Sequence, residues 1–161
     1  MKLNIGVLGP NTTTGEEYAL GVETGRRIAE AGAVLFCGGL GGMMQAAAEG
    51  ATSAGGATVG ILPGNDKSDA NDFIDLAIPT GLGPYRNAVL VSACDVVIAI
   101  HGAYGTLSEI AFALRLGIPV VGLDTWEVHR NGRADPAIHA ARSPQEAVAL
   151  AIRLASARKQ R

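Results

Sequence analysis

Asp95-Val96-Val97-Ile98-Ala99-Ile100, then His101-Gly102-Ala103-Tyr104-Gly105, then Thr106-Leu107-Ser108-Glu109-Ile110-Ala111-Phe112-Ala113-Leu114-Arg115-Leu116, reads as strand, glycine turn and helix. The strand is apolar without alternation. A strand wetted on one face alternates apolar and polar residues, so an unbroken run is a strand buried on both faces, as parallel strands are when crossover helices cover them. Gly117 and Pro119 close the helix. Thr106 stands three residues before Glu109, the spacing of a capping box. Glu109 is therefore either a cap or a site residue on local evidence.

The same alternation extends in both directions and predicts βαβ units in a parallel sheet. Strands are expected at Leu3 to Leu8, Val34 to Cys37, Thr58 to Leu62, Phe73 to Ile78, Asp95 to Ile100 and Pro119 to Leu123. Helices are expected near Glu16 to Glu30, Met43 to Ala54, Tyr85 to Ser92, Thr106 to Leu116 and Pro144 to Ala157. Ser143, Pro144 and Glu146 supply cap, first-turn proline and returning carboxylate for the last helix. Asp124 to Arg142 lacks either period and reads as a loop or short hairpin; Gly64 to Asn71 is a second polar loop. The fold class is α/β, with residues 1–161 forming one doubly wound, Rossmann-like domain of expected strand order 3-2-1-4-5-6.

Composition narrows the function. Of 161 residues 48% are hydrophobic but only 4% aromatic, so the core is built from Val, Ile, Leu and Ala. A net charge of -2 with no internal basic stretch gives nucleic acid nothing to grip, which points to a small-molecule partner. The N-terminal residues lack the pattern of a signal peptide, and no apolar run reaches the length that spans a bilayer; the expected location is the cytoplasm, with no membrane contact. Cys37 and Cys94 have no C-x-x-C partner, so no metal site is expected and both read as reduced thiols.

Ligands of open α/β sheets bind beyond the carboxyl ends of the strands. Four loops there are rich in glycine and hydroxyls: Gly9 to Gly15, Gly38 to Gly42, Thr80 to Asn87 and Gly102 to Thr106. Glycine lets backbone approach an anion, and the following helix offers free N–H groups, so phosphate is the expected ligand group. The candidate binding residues are Gly9, Asn11, Thr12, Gly38, Gly39, Gly41, Gly42, Met43, Gly83, Arg86, Asn87, Gly102, Tyr104, Gly105, Thr106 and Glu109. Arg86 begins a helix, the wrong end for a cation to favour the dipole, so an anion is expected to hold it there. His101 is either a donor to the ligand or a packed strand-end residue; Cys37 reads as a small buried apolar group. No G-x-x-x-x-G-K-[ST] is present, nor G-x-G-x-x-G after the first strand, which disfavours a P-loop triphosphatase and an ordinary NAD dehydrogenase.

Gly38-Gly39-Leu40-Gly41-Gly42-Met43-Met44, Arg86, and Gly102-Ala103-Tyr104-Gly105-Thr106-Leu107-Ser108-Glu109 together resemble the Lonely Guy (LOG) and lysine decarboxylase-like superfamily. Gly81-Leu82-Gly83 with Arg86-Asn87 is most similar to the branch that includes molybdenum cofactor carrier proteins. That branch implies a carrier or sensor with a bound molybdenum cofactor or nucleotide and no cofactor for catalysis, assembled as a homodimer or homotetramer. The hydrolase branch implies instead a nucleoside 5'-monophosphate phosphoribohydrolase, with Gly105 and Thr106 on the phosphate, Glu109 on the ribose or water and Arg86 on the departing base. His101 and Ala103 replace the proline and second glycine of the hydrolase motif, and Cys37 the first glycine of the other. The decarboxylase name implies a Schiff-base lysine, and Lys2, Lys67 and Lys159 stand in no expected pocket.

Overall fold

Ile5, Val7 and Leu8 are wholly removed from solvent because the strand that carries them, β1 (Asn4–Leu8), lies at the middle of a parallel sheet. The computed structural model describes residues 2–159 of the chain; Met1, Gln160 and Arg161, which complete the expected 1–161 domain, lie outside them. After β1 come α1 (Gly15–Glu30), β2 (Val34–Cys37), α2 (Met43–Ser53), β3 (Thr58–Leu62), β4 (Leu76–Pro79), α3 (Arg86–Ser92), β5 (Val96–Ile100), α4 (Tyr104–Arg115) and β6 (Val120–Leu123). A small hairpin, β7 (His129–Arg130) and β8 (Arg133–Ala134), leads to β9 (Ile138–Ala141) and α5 (Pro144–Lys159).

The main sheet has seven strands in the order β4-β3-β2-β1-β5-β6-β9, all parallel. One core joins the sheet to α1, α2 and α5 through Ile28, Met43, Ala47, Ala147 and Ala151; the other joins it to α3 and α4 through Leu90, Val91, Ile110 and Ala113. The doubly wound Rossmann-like class is therefore observed.

Two placements differ from the expected order. The fourth strand does not sit beside β1; it pairs with β3 at the sheet edge, and β5 takes the position next to β1. Thr58 fixes this return: Asp75 accepts from its N–H at 2.9 Å, and its hydroxyl donates to the Phe73 carbonyl at 2.7 Å. That polar clasp occupies Phe73 to Asp75, so the strand starts at Leu76, and the exposure of Leu76 and Ile78 together with Pro79 suits an edge. Secondly, β9 is an added strand inside the stretch expected to be only a loop or hairpin. Its Ile138-His139-Ala140-Ala141 is too short and mixed to show a period, and pairing with β6 supplies the order.

The helix starts differ as well. α4 begins at Tyr104, so Thr106 and Glu109 lie inside it and the expected capping box does not form; Ala103 is the N-cap and no side chain caps it. The last helix is capped at Ser143, whose Oγ accepts from the Glu146 N–H at 3.2 Å, but the Glu146 carboxylate reaches the Arg142 N–H, one residue upstream of the cap.

Candidate functional site

β1 and β5 are neighbours whose chains leave in opposite directions across the sheet, α1 to one face and α4 to the other, which opens a crevice at their carboxyl ends. A cleft of about 450 Å³ lies there. Gly9, Asn11 and Thr12 line it from the loop after β1, and Gly38 from the loop after β2. The chain following β4 crosses back through a 3-10 turn, Gly83–Tyr85, to bring in Gly83, Arg86 and Asn87; α4 contributes Gly105, Thr106 and Glu109.

The remaining sequence-predicted residues stand elsewhere. Gly102 lines an adjoining cavity. Gly39, Gly41, Gly42, Met43 and Tyr104 line neither cavity. Gly42 is the N-cap of α2, Met43 is fully buried beneath Gly9, and Tyr104 is 80% exposed with its ring 5.8 Å from that of Trp126. Lys2 and Lys67 also line neither cavity, and the side chain of Lys159 lies outside the described residues.

Arg86 and Glu109 are buried, with side chains only 10% and 8% exposed, and Arg86 Nη1 stands 3.8 Å from Glu109 Oε1. Arg86 Nη2 donates to the Gly38 carbonyl at 3.3 Å and Nη1 to Asn87 Oδ1, while Nε has no hydrogen-bond partner. Asn87 in turn donates to Ser108 Oγ at 3.2 Å, which ties the start of α3 to α4. Gly38 is required by contact: a Cβ there would lie 2.5 Å from Arg86 Nη2 and 2.6 Å from Met44 Sδ. Burial pushes the Glu109 carboxyl up to about 7, against the pull of Arg86, and burial likewise lowers Arg86, opposed by Glu109. The Glu109 carboxyl therefore stands poised near neutral pH beside a guanidinium with one N–H unspent.

Above this pair the first turn of α4 presents backbone N–H groups without a side-chain cap, at the positive end of the helix dipole. A phosphate between Arg86 and that turn would meet donors on both sides. Cys37 is buried beneath the cleft, accepting from the Gly39 N–H at 3.4 Å; burial raises its thiol to about 11, as an inert core group requires.

Sequence reasoning missed the apolar wall formed by Leu40, Met44 and Pro63, and the loop after β6 that carries Thr125 and Trp126. Met44 adjoins the chosen Met43, but helical phase turns successive side chains about 100° apart. The lone tryptophan in a polar stretch was the available signal for the β6 loop.

Fold and cleft define a doubly wound α/β protein with a small-molecule site at the topological switch point. Residues 2–148 match the SLOG cluster4 family, and the chain belongs to it. It is 48% identical over 124 residues to an uncharacterized protein of Archaeoglobus fulgidus, covering 76% of this chain and 82% of that one. Among solved structures it resembles the molybdenum cofactor binding protein from the phototrophic bacterium Rippkaea orientalis, with TM-score 0.83 and 36% identity over 93% of this chain and 95% of the other. It also resembles the Moco carrier protein from Chlamydomonas reinhardtii, with TM-score 0.84 and 33% identity over 98% and 99%. These relatives agree with the carrier branch to which the sequence motifs point.

Proposed function

We propose that the cleft binds a phosphorylated pterin- or nucleotide-type small molecule and that the protein acts as a carrier or sensor of it, in line with its likeness to molybdenum cofactor carrier and binding proteins. The observation behind this reading is the buried Arg86 guanidinium, which keeps an unpaired Nε in a glycine-lined cleft opposite an uncapped helix N-terminus. A buried cation with an open donor is stabilised by an anion. The chemistry of a bound molybdenum cofactor resides in its metal centre. This chain's part is to hold the ligand's phosphate with Arg86 and the N–H groups of Gly105 and Thr106, to offer Asn11 and Thr12 to its polar groups, and to keep water off it with Leu40 and Met44. The same reading takes the protein as a homodimer or homotetramer, for which the exposed Val89 on α3 and Tyr85 in the turn before it offer apolar surface.

A second reading rests on Glu109, whose carboxyl near pH 7 can take up or release a proton at working pH. Water adding across the N-glycosidic bond of a nucleoside monophosphate would yield free base and ribose 5-phosphate, with Glu109 assisting water and Arg86 balancing charge on the leaving base. One chromatographic assay separates the two. Protein incubated with a panel of nucleoside monophosphates is expected to release no more base than Glu109→Gln does, while calorimetry records binding. Turnover lost in Glu109→Gln would establish the hydrolase instead.

A further inference from the structure

Pro10, Thr12 and Ala103 line both the main cleft and a second cavity of about 560 Å³, so the two adjoin across a narrow lip. Each is of the size that takes one drug-sized ligand, about 300–1,000 Å³. Their chemistries are opposite. The main cleft has Arg86; the second has no lysine or arginine in its lining and carries two carboxylates, Glu17 and Asp124, with His101 between them and Trp126 as a wall. Phosphate is repelled there. Nor do these groups converge as metal ligands do, since no cluster of three such residues among those described can hold an ion.

The second cavity is built rather than incidental. His101 and Asp124 both adopt left-handed backbone, φ 49 and φ 51, which side chains with a Cβ seldom occupy unless the surroundings impose it. Thr125 Oγ1 pins one of them, donating to the His101 carbonyl at 2.5 Å. Trp126 Nε1 donates to the Ala103 carbonyl at 3.2 Å, which fixes the indole at the lip. Asp124 Oδ2 lies 3.4 Å from His101 Nδ1 and its side chain is 80% exposed, while His101 Nε2 is buried without a hydrogen-bond partner. The cavity thus offers carboxylate acceptors and an aromatic face.

Building on the phosphate reading of the main cleft, we propose that the second cavity takes the base of a second nucleoside unit, so that the preferred ligand is a pyrophosphate-linked dinucleotide with a guanine-type ring at this end. Guanine presents adjacent N1–H and N2–H donors, which a carboxylate's two oxygens match, whereas adenine alternates donor and acceptor along the same edge. Trp126 supplies the flat apolar contact and Asp124 the acceptors. The two phosphates lie over the shared lip, next to the uncapped turn of α4.

Trp126 is the only tryptophan in the chain and lines this cavity, so a ligand seated here is expected to change its emission. The test compares GMP, diguanosine 5',5'-pyrophosphate and the diadenosine analogue by calorimetry and by Trp126 fluorescence. Diguanosine pyrophosphate is expected to bind at least about tenfold more tightly than GMP, the scale of one added base stack, and to shift the emission, which GMP does not. Trp126→Ala, followed by calorimetry, is expected to bring that ratio towards one, and Asp124→Asn to erase the preference over the diadenosine analogue. GMP binding with no dinucleotide advantage and an unmoved emission would overturn this inference alone. Equal binding of the diadenosine analogue would overturn the guanine assignment, and binding of none of the three would overturn the inference together with the nucleotide form of the reading beneath it.

Discussion

Thr-x-x-Glu occurs at two of the strand-to-helix junctions that form the cleft, Thr14 to Glu17 before α1 and Thr106 to Glu109 in α4, and the two quartets do opposite things. Before α1 it closes on itself: Thr14 Oγ1 accepts from the Glu17 N–H at 3.3 Å and Glu17 Oε2 accepts from the Thr14 N–H at 2.8 Å. In α4 the helix has already begun two residues earlier, so Thr106 and Glu109 turn inward and are buried, and the helix end stays uncapped. The capping box spends the Glu17 N–H and sets a carboxylate at the α1 start, which disfavours an anion there, whereas the α4 start spends no N–H on a side chain. On the proposed reading, that difference makes the α4 start the one that meets the ligand's phosphate.

The largest test of that difference is Gly105→Val. A Cβ at Gly105 meets nothing within 4 Å, so the valine side chain enters the cleft without straining the fold. Ligand affinity is expected to fall at least about 100-fold with little change in melting temperature. Unchanged affinity would remove α4 from the site.

Glu109 gives the next effect, read as stability against pH. Its carboxyl ionises near 4.5 in the unfolded chain and at about 7 when folded. Between those values the unfolded state holds fewer protons, so stability is full below the lower one and falls as pH rises through the upper. The loss is on the order of 3 kcal/mol, and Glu109→Gln is expected to flatten it. Parallel urea midpoints from pH 4 to 8 for the two proteins measure it; equal slopes would mean that Glu109 is not held in a buried site.

Thr14→Ala acts only on the closed junction. Removing the cap is expected to cost about 1 kcal/mol and to leave ligand affinity as it was. A change in affinity would show that the α1 start contributes to the site after all.

Which junction is capped was not legible from the chain, because both quartets satisfy the same spacing and only the register of helix against sheet decides between them. Loop chemistry was more transparent: Gly38, Arg86, Asn87, Gly105 and Glu109 announce themselves by composition and all reach one cleft. Strand β5 is apolar throughout and so identifies its own burial. By contrast β9 is read only through its pairing with β6, and the later start and edge place of β4, a strand expected from Phe73 to Ile78, only through the Thr58 clasp, a contact between residues 17 positions apart. Gly25 and Gly50 were likewise silent. Each sits mid-helix, where a Cβ would lie 1.8 Å from the Ala47 carbonyl and 1.9 Å from that of Val22, so α1 and α2 touch backbone to backbone there. Sequence records the glycine but not the partner.

The smallest expected effect, from Glu17→Gln, is the most selective, because Glu17 belongs to both the capped junction and the second cavity. A glutamine keeps an oxygen for the Thr14 N–H, so the capping box survives and stability is expected to change by less than about 0.5 kcal/mol. What changes is charge: one of the two carboxylates near His101 is lost, with Glu17 Oε1 now 4.0 Å from His101 Nδ1. Affinity for diguanosine pyrophosphate, measured by calorimetry, is therefore expected to rise slightly in Glu17→Gln, since one negative charge beside the anionic ligand is removed. An affinity that does not move would mean that solvent screens Glu17 from the cavity and that its carboxylate serves the helix alone.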